Sequence, residues 1–426
     1  MNTPYVLKNK LVKPNRNITL SLSTFPSITC ILWICSDLVR TICAKLLSFF
    51  GGAEFASCIT VIIIYTPLLL YIVMCKRLPW KKFNVVFLLS AGYFLFTLII
   101  HRDYAQWYFR SHYGVIQLIF SPDKGAIWAF LMIEVSGSAE KIWNNLRYSV
   151  LGIGIYNIYL FLQARSLGYW EYMNSSGVIS KRSYSLEFGY NMVFIFLVAF
   201  VSAYLYSKKI YQWVCVVALC LTLYAGSRGA LICICVFLLC HFLFKQGKLI
   251  YKIVAGIGII LAGSSLYLFK NEIIILLSSM LNKFNIQSRT IEMMISGESL
   301  DDSGRSKIYN LIWDAIKDNP ILGYGAFGDR KFIAPKYNWG YSHSILYEMM
   351  ADFGIPLGIL LLLVLIMWTL WSIAKSKNTI MAYLIIILFS MCTRLAISDT
   401  FWGDSYFWML ISLLLLNIKE RRRRRI

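Results

Sequence analysis

Stretches of apolar residues long enough to cross a bilayer recur along most of this chain, and nothing else in the sequence constrains the fold as tightly. Crossing ~30 Å of hydrocarbon takes about 20 helical residues at a rise of about 1.5 Å each. Such runs lie near 27–49, 58–75, 83–100, 113–135, 147–164, 188–206, 211–225, 229–244, 252–269, 354–374, 379–396 and 403–418. In lipid, backbone N–H and C=O groups must be paired within the protein, and a helix does this within one segment. The first run is weakened by Asp37, Arg40 and Lys45, and the fourth is interrupted by Ser121-Pro122-Asp123-Lys124-Gly125 and can equally be re-entrant. The expected fold is an all-α integral membrane protein with about twelve transmembrane helices.

Composition agrees. Hydrophobic residues are 58% of 426 and charged residues 15%, whereas soluble domains sit near half and a quarter. Aromatics reach 16%, as expected where Trp and Tyr gather at both lipid interfaces. A formal charge of +21 would suit a nucleic-acid binder, but the cations fall between apolar runs rather than along one soluble face, so no nucleic-acid partner is expected. All eleven cysteines lie in or beside apolar segments, which argues against a disulfide framework. Cys233-x-Cys235 has no nearby His or acidic partner to complete a metal site, so it reads as small apolar packing. The first 25 residues are polar and carry four cations, and no cleavage site follows a short apolar core, so a removed signal peptide is not expected.

Orientation follows from the short loops. One alternate set holds Lys76, Arg77, Lys81, Lys82, Lys141, Lys208, Lys209, Lys245, Lys248, Lys375 and Lys377, together with Lys8 to Arg16 and the closing Lys419 and Arg421 to Arg425. These loops are expected to be cytoplasmic, the final Arg run acting as an anchor near anionic lipid. The expected organisation is a cytoplasmic segment at 1–26, a bundle of about nine spans at 27–269, a large outer loop at 270–353, three spans at 354–418 and a cytoplasmic basic tail at 419–426. Within the loop, Ile308, Leu311, Ile312, Ala315 and Ile316 recur at helical spacing and predict an amphipathic helix that Asn319-Pro320 ends. Gly323, Gly325 and Gly328 follow in a turn-rich stretch, and a second helix is expected from near His343.

Three residues are the strongest candidates for chemistry. Arg228, in Ser227-Arg228-Gly229-Ala230, sits between closely spaced runs on the outer side, where topology gives no reason for a cation; the bland alternative is a snorkelling helix end. Arg305, in Gly304-Arg305-Ser306, opens the amphipathic helix, and a guanidinium fork suits phosphate oxygens; alone it could be a solvated charge. His343 is the one histidine of the loop and has a pKa near neutrality, suited to moving a proton, although a capping role fits its position equally well. Arg289, Arg330 and Lys331 add to the cationic group. Gly323-x-Gly325-x-x-Gly328 fits a dinucleotide fingerprint, but no apolar strand precedes it and no helix opens at its end. Asp-x-Asp is absent, which argues against a nucleotide-sugar donor.

In order, Ala225-Gly226-Ser227-Arg228-Gly229-Ala230, then Gly304-Arg305-Ser306 with Asn319-Pro320-Ile321-Leu322-Gly323-Tyr324-Gly325, then Ser342-His343-Ser344-Ile345-Leu346-Tyr347-Glu348 with Gly354 and Gly358, resemble the O-antigen ligase and polymerase superfamily of bacterial envelope glycosyltransferases. The resemblance runs from about Leu186 to Asn417; the first 185 residues match in hydropathy alone. It implies a GT-C-like helical membrane fold with short helices in a large periplasmic loop. The activity implied is a metal-independent, inverting glycosyl transfer without a cofactor, from a donor linked to undecaprenyl diphosphate in the inner membrane. It implies that Arg228 and Arg305 hold the donor diphosphate and that His343 takes the acceptor proton. Arg289, Arg330, Arg394, Arg182, Glu187 and Glu348 are the further substrate-binding candidates. Ser344 stands where Asn often follows the histidine. Ser398-Asp399-Thr400-Phe401-Trp402 and the Tyr341-Ser342-His343 form look more like polymerases than ligases, so a repeat-unit polymerase is preferred, with a chain-length regulator as a further partner. An O-antigen ligase acting on lipid A–core is the first alternative. A flippase of lipid-linked sugar is the second, disfavoured because the two halves of the chain are unlike. An acyltransferase would want a better acid–base pair.

Overall fold

The computed structural model describes residues 24–75, 80–110, 114–173, 179–182, 185–225, 227–244, 279, 305–337, 340–376 and 378–423. Its helices are α1 (Phe25–Ile34), α2 (Ser36–Ser48), α3 (Ala56–Cys75), α4 (Lys81–Ile100), α5 (Ala105–Tyr108), α6 (Ile127–Ser136), α7 (Ala139–Leu167), α8 (Leu186–Tyr206), α9 (Lys209–Ala225) and α10 (Arg228–Phe244). They continue with α11 (Arg305–Asp318), α12 (Arg330–Ile333), α13 (Ile345–Phe353), α14 (Ile355–Lys375), α15 (Thr379–Cys392) and α16 (Ser405–Arg423). Among the described residues the one strand pairing is an antiparallel hairpin, β1 (Trp170–Met173) with β2 (Ile179–Arg182).

Among the described residues six helices are long and apolar enough to cross a membrane: α3, α4, α7, α8, α14 and the stretch Thr379–Ala396 that includes α15. The chain is thus an all-α, multi-pass membrane protein. Shorter apolar helices occupy Phe25–Ile34, Ile127–Ser136, Lys209–Ala225 and Gly229–Phe244. The run expected at 27–49 divides at Cys35 into α1 and α2. The run expected at 113–135 becomes a π-helical turn at Ile116–Phe120, an extended Ser121 and the ten-residue α6. The run at 252–269 lies outside the described residues, as does most of 270–304. At the C-terminus α16 continues through the start of the Arg run.

The charges that interrupt the first and fourth runs meet each other. Arg40 pairs with Asp37 at 2.5 Å and reaches Asp123 at 4.0 Å. The irregular backbone beside Asp123 is satisfied locally, the Trp128 indole N–H donating to the Phe120 carbonyl at 3.1 Å. Non-helical backbone at membrane depth is tolerated where protein covers it in this way.

Burial sorts the spans. The apolar window of α8 is 72% inside the protein and that of Thr379–Ala396 56%, against 17% for α3 and 11% for α7. The first two form the centre, and the others present Ile62, Val73, Leu151 and Ile155 outward, as lipid-facing helices do. Since lipid tails are as apolar as leucine, close packing and hydrogen bonds hold such helices together. Asn145 donates to Ser136 at 3.0 Å, and the Trp143 indole N–H to Tyr206 at 3.1 Å. At the Lys/Arg-rich end, Glu134 accepts the backbone N–H groups of Lys82 and Phe83, so a carboxylate sits at the N-terminus of α4 where the helix dipole favours it. At the opposite end the last turns of α4, the start of α14 and the 400–402 segment ahead of α16 meet α13 and the chain that leads into it.

Candidate functional site

The amphipathic pattern of α11 folds as its spacing demands. Ile308, Ile312, Ala315 and Ile316 are buried together with Ile333, Met350 and Ala351, so α11 lies against α12 and α13. The helix stops at Asp318, before Asn319-Pro320. The chain then crosses the C-terminal end of α13: Tyr324 N–H donates to Ala351 O at 2.7 Å, and Gly325 N–H to Asp352 O at 3.0 Å. Ile355 N–H returns a bond to Pro320 O at 2.7 Å. Gly354 makes this crossing feasible, since it has φ +80° and a Cβ there would overlap the Ile321 carbonyl. Gly325, at φ +78°, lies so close to α4 that a Cβ would stand 2.5 Å from the Thr97 methyl. Thr97 Oγ1 accepts Ala326 N–H at 3.2 Å, and the Tyr108 hydroxyl donates to Ala326 O at 2.8 Å.

His343 sits in a turn fixed from several directions. Its φ of +56° is left-handed, unusual for a side chain of this size, and holds the imidazole just ahead of α13. Asp329 Oδ2 accepts the Ser342 N–H at 2.8 Å, and Arg330 donates to Gly340 O at 2.9 Å. The Ser342 hydroxyl donates to Ser344 O at 3.2 Å, bridging over the histidine. Tyr341 packs on the imidazole with ring centroids 4.1 Å apart. Adjacent Asp329 and Arg330 thus clamp both ends of the segment that delivers His343.

The electrostatics define the proton chemistry. Burial, then the Arg305 and Arg330 guanidinium groups, push the His343 pKa down to about 4, so the imidazole is neutral at ordinary pH and can accept a proton. The same effects place Arg305, Arg330 and His343 in one neighbourhood. Arg330 is buried between Phe327, at 4.1 Å from its ring centre, and Tyr341, at 5.4 Å. Its Nε and Nη2 atoms are buried and have no hydrogen-bond partner among the described residues.

Behind the histidine lie three buried carboxyls. Glu348 accepts the Thr400 hydroxyl and the Phe401 N–H, the latter at 3.0 Å. Asp352 accepts the Gly328 N–H at 2.9 Å and the Trp402 indole N–H at 2.7 Å. Burial, reinforced by Asp329 and Asp352, raises the Glu348 carboxyl well above its usual range. Burial and Asp329 do the same to Asp352, and burial raises Asp329 despite Arg330 and its hydrogen bonds.

The remaining candidates are not among the charges that act on His343. Glu348 directs both oxygens to the 400–401 backbone and hydroxyl rather than to an open cleft. Arg394 is held by two carboxylates, Asp404 at 2.6 Å and Asp399 at 3.2 Å, which already balance its charge. Arg182 is exposed on β2 opposite Trp170, and Glu187 is exposed in the first turn of α8. Arg228 is the first residue of α10, and the next position, Gly229, abuts Tyr190 and Ile397 beside the Arg394 turn. Arg289 lies outside the described residues. Sequence reasoning missed Asp329, Asp352 and Trp402 as parts of the site. The i, i+4 spacing of Glu348 and Asp352 on one face of α13 was the available signal.

Residues 213–362 match the O-antigen ligase family model. That stretch contains Arg228, Arg305, Arg330 and His343, so the likeness to that family falls on the part of the chain that holds the candidate site. No curated protein matches the chain.

Proposed function

We propose that the protein is an O-antigen repeat-unit polymerase of the bacterial inner membrane, transferring a glycan from undecaprenyl diphosphate to a lipid-linked acceptor repeat on the periplasmic side. The observation that carries this reading is a neutral histidine, in a fixed left-handed turn, under the influence of two arginines at the end of the bundle opposite its Lys/Arg-rich loops.

In the proposed reaction an acceptor hydroxyl attacks the anomeric carbon of the donor sugar. Its proton passes to His343 as the new C–O bond forms, and the anomeric C–O bond to the diphosphate breaks from the opposite face, inverting the centre. The leaving diphosphate takes the electron pair, and Arg305 and Arg228 stabilise the added charge. No metal or cofactor takes part. Arg330 is a further anion ligand, through the donors that the described residues leave unengaged. Before the donor arrives, burial and the Arg305 and Arg330 cations keep His343 a weak base; the arriving diphosphate offsets the cations and raises its basicity. Glu348 acts by holding the 400–402 segment. A chain-length regulator is the proposed protein partner.

His343→Ala and Arg305→Ala are expected to abolish polymer while the protein level in membranes stays normal; full-length chains from either variant remove the role assigned to it. The description of the matching family favours a second reading, ligation of finished chains to lipid A–core. Deletion followed by gel analysis of lipopolysaccharide separates the two. A single repeat on the core identifies a polymerase, and bare core with lipid-linked polymer identifies a ligase.

A further inference from the structure

Beyond the reacting centre, α11 carries an aromatic row that the transfer chemistry leaves unused. Arg305, Tyr309 and Trp313 follow at i, i+4 and i+8, so each step advances about 6 Å along nearly one line of the helix. Tyr347, from the helix that follows His343, stacks on Tyr309 with centroids 4.9 Å apart and planes at 16°, and meets Trp313 edge-on at 6.5 Å. Trp313 is 38% exposed although an apolar face of the same helix is buried beside it.

We infer that Tyr309, Tyr347 and Trp313 form a shelf for pyranose rings of the glycan, leading away from Arg305. This deepens the proposed function and rests on it for the glycan's identity. A pyranose presents a C–H face that packs on an aromatic ring and a rim of hydroxyls that needs polar partners, the combination of apolar body and wet edge that exposed Trp and Tyr serve. The rim is present: Asn310, Asp314, Lys317 and Asp318 are all exposed around Trp313, with Lys317 3.1 Å from Asp314. The competing occupant is the lipid headgroup layer, where Trp and Tyr also collect. Lys317, 5.8 Å from the Trp313 ring centre, is neutralised by Asp314, so Asp318 is left to disfavour anionic headgroups, while both carboxylates accept sugar hydroxyls well. The row also starts at the arginine proposed to hold the diphosphate, so sugars attached to that group reach Tyr309 within one helical turn.

The test uses full-length protein in nanodiscs and, as probe, the host's own O-antigen oligosaccharide of two to three repeats released by mild acid without its diphosphate. Binding to the wild type, to Lys307→Ala, to Trp313→Ala and to Trp313→Phe is followed by saturation-transfer NMR titration. The shelf predicts about tenfold weaker binding for Trp313→Ala, near wild-type binding for Trp313→Phe and no change for Lys307→Ala, an exposed position of the same helix. Equal binding by Trp313→Ala and wild type overturns it, and so does the absence of binding to the wild type. Because this assay needs no turnover, a transferase reading that fails by deletion analysis is distinguished from a shelf that fails by titration.

Discussion

His343 shows how much of this site depends on the surroundings of one ring. An imidazole in water has a pKa of 6.5, and here burial with Arg305 and Arg330 lowers it to about 4. Its ring resonances in the donor-free protein should therefore titrate near 4, and Arg305→Gln should move that midpoint upward by removing one cation. A midpoint unchanged by the substitution would mean that Arg305 does not act on the ring. The sign for stability follows. As pH falls from 6.5 toward 4 the unfolded chain takes a proton that the folded site refuses, so this group lowers stability across that window. Asp329 is the matching residue on the structural side. Asp329→Ala leaves the Ser342 N–H without its acceptor in a buried turn, a loss of about 1–3 kcal/mol. Thermal unfolding in detergent should show this as a lowered Tm, with polymer yield falling further than protein level because the histidine turn loosens.

Helix α13 joins the loop to the bundle, and its two carboxyls do so in different ways. Glu348 fixes the 400–401 turn ahead of α16, whereas Asp352 joins the glycine turn at Gly328 to Trp402. Around them Tyr93, Phe353 and Trp402 stack, with Tyr93 5.4 Å from Phe353 and 6.1 Å from Trp402. Glu348→Gln preserves the shape and the acceptor oxygen and should fold normally. Glu348→Ala strands a buried hydroxyl and a buried N–H, and its midpoint should fall clearly below that of the Gln variant in the same detergent. If the two variants melt together, Glu348 does not hold the turn. Gly354→Ala should deplete the protein from membranes, because the added methyl meets the Ile321 carbonyl where the chain crosses α13.

For the whole molecule, the positively charged loops and the candidate site lie at opposite ends of the same helices. α4 begins at Lys81 and reaches the site through Thr97, and α14 leaves the site at Ile355 and ends at Lys375. Alkaline phosphatase fused after Lys336 is expected to be active and fused after Lys377 inactive; the reverse pattern would place the site in the cytoplasm. The apolar runs, the break at 121–125, the amphipathic face of α11 and its end at Asn319-Pro320 were legible in the sequence because each rests on local periodicity or on one residue's backbone preference. Arg305 and His343 were candidates on equally local grounds, an arginine and a histidine that stand out within the polar loop. Local patterns carry no information about which distant segments pack together. Tertiary packing alone determined that Arg40 reaches Asp123 and that Arg394 is balanced by Asp404 and Asp399. It also set Asp329 behind His343 and left Trp313 facing outward, since each depends on chain segments brought together by burial rather than by spacing.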